Sequence, residues 1–133
     1  MPLALEDDHW CFACGADNPH GLHLSGFRDE GDDYVCEFVP ERHHQSWAGI
    51  THGGILSTLL DEVMVRMVRA RCGHAVTAEI TVRFCEPVAT GTRLELRART
   101  ISQRGKLALT EGEIRLPDGQ IAAQAKAKFM LIG

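Results

Sequence analysis

The stretch GITHGGILSTLLDE, residues 49–62, decides the fold, because it joins a glycine-rich loop to the one strongly periodic helix of the chain. From Ile55 onward apolar pairs recur every four residues: Ile55-Leu56, Leu59-Leu60, Val63-Met64 and Met67-Val68. That spacing gathers them on one broad face at helical period. Arg66, Arg69 and Arg71 make the last turn basic and Gly73 stands where a C-terminal cap belongs, so a helix is predicted from Gly53 to about Arg71. At its entrance His52, Gly53 and Gly54 leave backbone open to close approach, and the first amides of a helix have no partner inside it. Such amides can hold a carbonyl or an anion, and a carboxylate two turns on can act on what they hold. Asp61 falls at the border of the apolar face; Glu62 lies one residue further round, toward water.

Outward from the helix, the apolar pattern changes period. Val76–Phe84, Arg93–Ile101, Lys106–Leu116 and Gln120–Ile132 alternate as strands do, punctuated by Pro87, Gln103-Arg104-Gly105 and Pro117-Asp118-Gly119. Before the helix, Leu22–Phe27 and Tyr34–Val39 alternate around a Gly31-Asp32 turn, which predicts a hairpin. Residues 1–20, rich in His, Cys, Asp and Pro, read as an irregular arm, and Pro40–Gly49 as a polar loop. The class is α+β: one long central helix wrapped by a curved antiparallel sheet of five to six strands, in a single domain over 1–133. An uncovered sheet edge predicts pairing with a second copy.

Composition narrows the function classes. At 133 residues, with 44% apolar and 24% charged residues, the chain has the make-up of one ordinary globular domain. A net charge of -4 leaves no cationic excess to neutralise phosphates, which argues against nucleic acid. No apolar run approaches the ~20 residues of a membrane span, and Met1–Asp8 lacks the basic and apolar regions of a secretory signal. The five cysteines (Cys11, Cys14, Cys36, Cys72 and Cys85) are odd in number and without a disulfide-like framework, so they read as reduced thiols in a cytoplasmic protein.

Two segments, WAGITHGGILSTLLDE (47–62) and TAEITVRFCEPV (77–88), together resemble the hotdog-fold acyl-CoA thioesterases of the phenylacetic-acid-degradation type, in the 4-hydroxybenzoyl-CoA thioesterase superfamily. The shared features are H-G-G with an Asp nine residues after the His, and a Thr-x-Glu strand start that runs to E-P. The similarity extends from roughly Cys11 to the end. It implies a hotdog fold that hydrolyses an acyl-CoA or acyl-carrier-protein thioester, with no cofactor beyond the coenzyme A of the substrate. Gly53 would supply the oxyanion-binding amide, and such preorganised amides contribute about 2.7–4 kcal/mol. Asp61 would be general base on water or nucleophile through an anhydride, and the residues leave both open. His52 would fix the loop by hydrogen bonds, and Gly54 would leave the turn into the helix unblocked. Thr77 would orient the attacking water from the partner subunit of a homodimer, with two dimers associating into a homotetramer. Gln45, Ser46, Trp47 and Glu62 would lie near the substrate, with Met64, Val68 and Phe84 as further pocket walls. Arg83, Arg104 and Lys106 would be the basic candidates for the coenzyme A phosphates.

Three other readings compete. Cys11-x-x-Cys14, with His9, His20 and His23 nearby, raises a metal site; zinc takes four ligands and there is no second C-x-x-C, so the expectation is no metal. Arms of the type C-x-x-C-G-x-x-N-P-x-G-L recur in this hotdog branch, which implies a structural arm near the site. Asp17-Asn18-Pro19-His20 is similar to the D-x-N-P-x-H of hotdog enoyl-CoA hydratases, but both spacings are short by one. A non-catalytic acyl-CoA sensor on the same fold is the remaining alternative; the carboxylate at position 61 favours the enzyme.

Overall fold

The helix forms where the apolar period places it: α1 spans Gly53–Arg71. Its entrance is capped by the His52 ring, whose Nδ1 accepts the Gly54 N–H at 2.8 Å. At its other end Gly73, at φ 123°, donates back to the Val68 carbonyl. A non-glycine residue would be strained in that conformation. The coordinates are a computed structural model and describe residues 3–132, so the first two residues of the 1–20 arm and the last of the 1–133 domain lie outside the described residues.

Six strands surround the helix: β1 (Arg28–Glu30), β2 (Asp33–Phe38), β3 (Ala75–Phe84), β4 (Leu94–Arg104), β5 (Leu107–Arg115) and β6 (Ile121–Leu131). They form one antiparallel sheet in the order β1-β2-β4-β5-β6-β3. This is the expected α+β hotdog arrangement. Leu59, Leu60, Val63, Met64 and Met67 of α1 are fully buried against Leu94, Leu96, Ile114 and Phe129. Each large aliphatic side chain so buried contributes about 1.5–3 kcal/mol. Small residues on the sheet let the helix sit close: a Cβ on Gly112 would meet Met64 Cγ at 3.1 Å and the Arg97 carbonyl at 3.2 Å.

The hairpin differs from its prediction. Leu22–Phe27 is not a strand; the strand that pairs with β2 is the short Arg28–Glu30. The alternation at Leu22 and Leu24 reflects burial in the core, while their amides donate to the Phe12 and Ala13 carbonyls of the arm. Backbone hydrogen bonds had two possible recipients, and the arm took them. The sheet edges are therefore unequal. On the β1 side, Arg97 joins Glu30, Asp33 and Glu95 in an ion-pair cluster. The other edge is β3, ten residues long and largely exposed. Among the described residues no helix is long and apolar enough to cross a membrane.

Candidate active site

Each part of H-G-G has a local reason. His52 donates its backbone N–H to the His44 carbonyl and accepts the Gly54 N–H on its ring. A Cβ on Gly54 would meet that ring at 3.0 Å, so Gly54 makes room for the histidine cap. This duty adds to the expected one of leaving the turn into the helix unblocked. With Nδ1 accepting, the neutral ring carries its proton on Nε2. A Cβ on Gly53 would touch the Phe84 ring at 3.4 Å. Ile55 and Leu56 both donate to the His52 carbonyl, while the Gly53 N–H has no acceptor among the described residues. It is an open donor at a helix N-terminus.

The loop before it is anchored by His44, a buried residue that the sequence left undistinguished within a polar loop. Its Nδ1 accepts the Glu41 N–H at 2.9 Å, and burial, with His43 beside it, holds its pKa below the usual value. Gln45 Oε1 accepts the Gly49 N–H and Ser46 N–H donates to the Ile50 carbonyl. Both therefore shape the loop. Trp47 projects from it, 81% exposed.

Asp61 is half-buried on α1, and Thr77 Oγ1 donates to its Oδ1 at 2.7 Å. A bulge makes that contact possible. Thr77 pairs with Phe129 and Glu79 with Lys128, leaving Ala78 unmatched. Thr77 shares the helix-facing side with the buried Phe129, and Ile80 regains that side beyond the bulge. Bulges re-aim side chains in this way. Burial pushes the Asp61 carboxyl above its usual pKa, against the opposing pull of the Thr77 hydroxyl. The result is a carboxylate of enhanced basicity, the property a general base needs.

Several predicted positions are corrected. Thr77 was expected to serve a partner's Asp61; it reaches the Asp61 of its own chain, because β3 lies at the sheet edge beside that stretch of α1. Glu62 does not face water: it is 6% exposed, covered by the arm, with Cys11 Sγ 4.0 Å from its Oε2. Burial raises its pKa, with the Cys14 hydrogen bond and Arg66 opposing. The Cys14 thiol is pushed well above its usual pKa by burial and then by Glu62. Met64 and Val68 are core residues, not pocket walls. Arg83 pairs with Gln124 and lines a groove of about 850 Å3 on the sheet face opposite α1, whereas the neighbouring Phe84 turns inward to Gly53. Sequence reasoning missed the meeting of Cys11 and Cys14 with Glu62; the C-x-x-C-G spacing was the available signal.

One distance limits what a single chain can do. Gly53 and Asp61 lie eight residues apart on one helix, so at 1.5 Å per residue they are separated by about 12 Å. Both cannot contact one carbonyl group.

Comparison with known proteins gives the family and the fold. The family model described as Thioesterase superfamily matches residues 48–123. The chain is 28% identical over 97 residues to the acyl-coenzyme A thioesterase THEM4 of Xenopus laevis, a match that covers 72% of this chain and 44% of that protein. It spans less than half the length of the first curated relatives it matches. Among solved structures, the Escherichia coli PaaI protein from the phenylacetic acid degradation operon superposes with a TM-score of 0.77 at 20% identity, over 84% of this chain and 81% of that one. The smu.793 protein of Streptococcus mutans, solved bound to acetyl CoA, superposes with a TM-score of 0.75 at 17% identity, over 83% and 87%. These two likenesses show the fold.

Proposed function

The chain belongs to the Thioesterase superfamily, and from that premise we propose that it hydrolyses an acyl-CoA thioester to the free acid and coenzyme A. The observation that carries the proposal is the half-buried Asp61 carboxylate, raised in pKa and held by Thr77. Asp61 takes a proton from water, whose oxygen attacks the thioester carbonyl carbon. The resulting oxyanion is held by a Gly53 amide, the C–S bond breaks, and the departing thiolate takes up a proton. Thr77 occupies Oδ1 and leaves Oδ2 free, either to take the proton from water or to attack the carbonyl directly. Single turnover in 18O-water tests the nucleophile: general-base action labels the acid product alone, and 18O found in Asp61 would show an anhydride opened at the Asp61 carbonyl.

The separation of about 12 Å along α1 supports a site completed by a second chain. We place Asp61 and Thr77 of one protomer opposite the Gly53 amide and His52 loop of the other. Antiparallel pairing of two β3 edges about a two-fold axis would create two such sites at once. Phe84, packed against Gly53, and the exposed Trp47 then line the acyl path. Two dimers assembling into a tetramer complete the proposal. The five unbridged cysteines support a reducing, cytoplasmic setting.

A panel of acyl-CoA esters and acyl-carrier-protein thioesters, followed by thiol release, tests the activity. Turnover of at least one acyl class, lost in Asp61→Asn, is expected. An inactive wild type that still binds acyl-CoA would replace the enzyme with a sensor. Sedimentation at micromolar protein tests the assembly, and a monomer would overturn the shared site.

A further inference from the structure

We propose that Cys11, Cys14 and Glu62 form a binding site for a zinc-class divalent cation that clips the N-terminal arm to α1 beside Asp61. The donor atoms of these three residues all lie within 4.8 Å of one another. Zinc binds thiolate at about 2.3 Å and carboxylate at about 2.0–2.2 Å, so modest side-chain rotation brings all three onto one ion.

The buried carboxylate is a second, independent observation. Glu62 is 6% exposed, and among the described residues only the Cys11 and Cys14 thiols approach its oxygens, with no N–H donor and no ion pair. A carboxylate left so is costly unless it takes up a proton or something of opposite charge joins it, and the adjoining sulfurs offer a cation the second course. The nearest guanidinium turns elsewhere: Arg66 stacks 4.7 Å over the Phe27 ring and places Nη1 3.7 Å from Cys14 Sγ. That arrangement balances a metal site. Two thiolates and a carboxylate bring three negative charges, the ion supplies two positive charges, and Arg66 supplies the third.

The sulfurs are also held in place by backbone. Gly15 N–H donates to the Cys11 carbonyl at 2.8 Å, closing the C-x-x-C turn. A Cβ at Gly15 would fall 2.4 Å from the Cys11 amide nitrogen, so the glycine is required by that turn. Leu22 and Leu24 donate to the Phe12 and Ala13 carbonyls between the two cysteines. The three donors line a cavity of about 220 Å3, which has room for a water as fourth ligand. A Cys11–Cys14 disulfide would account for the two sulfurs and leave Glu62 unexplained; a cation accounts for all three. Counting ligands along the sequence argued against metal because the third donor comes from the helix, 48 residues beyond Cys14. Two sulfurs and one oxygen favour zinc over magnesium or calcium. Binding converts two thiols to thiolates and releases both protons to solvent.

The test uses the full chain carrying Cys72→Ser and Cys85→Ser, which removes the exposed thiols outside the cluster. The reduced, chelator-stripped protein is titrated anaerobically with Co2+ alone. The expected result is one Co2+ per chain with a thiolate-to-cobalt charge-transfer band, displaced by Zn2+. Cys11→Ser with Cys14→Ser should abolish the band, Glu62→Gln should weaken binding at least tenfold, and Arg66→Gln, acting from outside the ligand set, about tenfold. Circular dichroism checks each variant, and if the double serine variant unfolds, the cobalt spectrum of the parent and the Glu62→Gln affinity decide. No charge-transfer band, a band that survives loss of both cysteines in a folded chain, or unchanged affinity in Glu62→Gln would each overturn the proposal. So would recovery of the two sulfurs as a disulfide whose reduction yields no metal binding.

Discussion

Thr77 Oγ1 donates to Asp61 Oδ1 over 2.7 Å inside a single chain, from a bulged edge strand to the middle of the helix. The contact makes the two residues one unit whose defects do not add. Asp61→Asn keeps the shape and removes the base, so turnover should fall by about a hundredfold to ten-thousandfold with the fold intact. Thr77→Ala should lower kcat by less and leave KM nearly unchanged, because a water can still reach the free carboxylate. Steady-state kinetics of both variants check this.

Mixing the two variants gives a sharper outcome. A heterodimer of Asp61→Asn and Thr77→Ala chains would hold one site lacking the base and one lacking the hydroxyl, and no intact site. After proven subunit exchange, activity should therefore show no rescue. Recovery above the average of the parents would mean that Thr77 serves the partner's Asp61.

His52 acts through its cap. His52→Ala should remove the ring acceptor from the Gly54 amide and destabilise the chain by about 1 kcal/mol, whereas His52→Asn, a good N-cap, should restore most of it. Thermal unfolding measures the stability. If His52→Asn keeps its stability and also its turnover, proton transfer by His52 is excluded; stable protein with collapsed kcat would assign it a chemical role.

Gly112 sets how closely helix and sheet approach. Gly112→Val would press against Met64 Cγ and the Arg97 carbonyl, and backbone cannot step aside. Urea unfolding should show a loss of about 1–3 kcal/mol, the usual cost of overpacking. An unchanged midpoint would mean the helix can lift from the sheet.

Asp33 links stability to pH. Burial raises its pKa, but hydrogen bonds from Arg97 at 2.8 Å and Arg99 at 3.0 Å, with their charges, outweigh it and leave the carboxyl below its usual value. A carboxyl with a depressed folded pKa contributes stability that is fully present above its unfolded pKa of about 3.9. That stability is lost as pH falls through the lower folded value. Asp33→Asn should therefore be less stable than the parent at neutral pH, with the difference closing below about pH 4. A difference that stays constant down to pH 2 would separate Asp33 from the acid limb.

Much of this protein is legible in the sequence because its signals are local. The four-residue spacing of Ile55-Leu56 through Met67-Val68 fixes α1, and alternation fixes β3 to β6, since each period depends only on neighbours along the chain. H-G-G before that helix marks the open Gly53 amide, and Asp61 at the border of its apolar face marks the carboxylate. The tertiary structure decided what depends on distant partners. Rotation about the helix axis put Glu62 toward water, but the arm folds over that surface, burying Ala13, Leu22 and Leu24 and closing Cys11 and Cys14 on the carboxylate. Alternation at Leu22–Phe27 could serve a hairpin or a core-packed arm, and the choice lay with the Phe12 and Ala13 carbonyls earlier in the chain. Thr77 reaches its own chain's Asp61 because the strand order sets β3 at the edge beside β6, with a bulge that turns the hydroxyl inward. Period tells which side of an element is apolar. Only the packed chain tells what lies across from it.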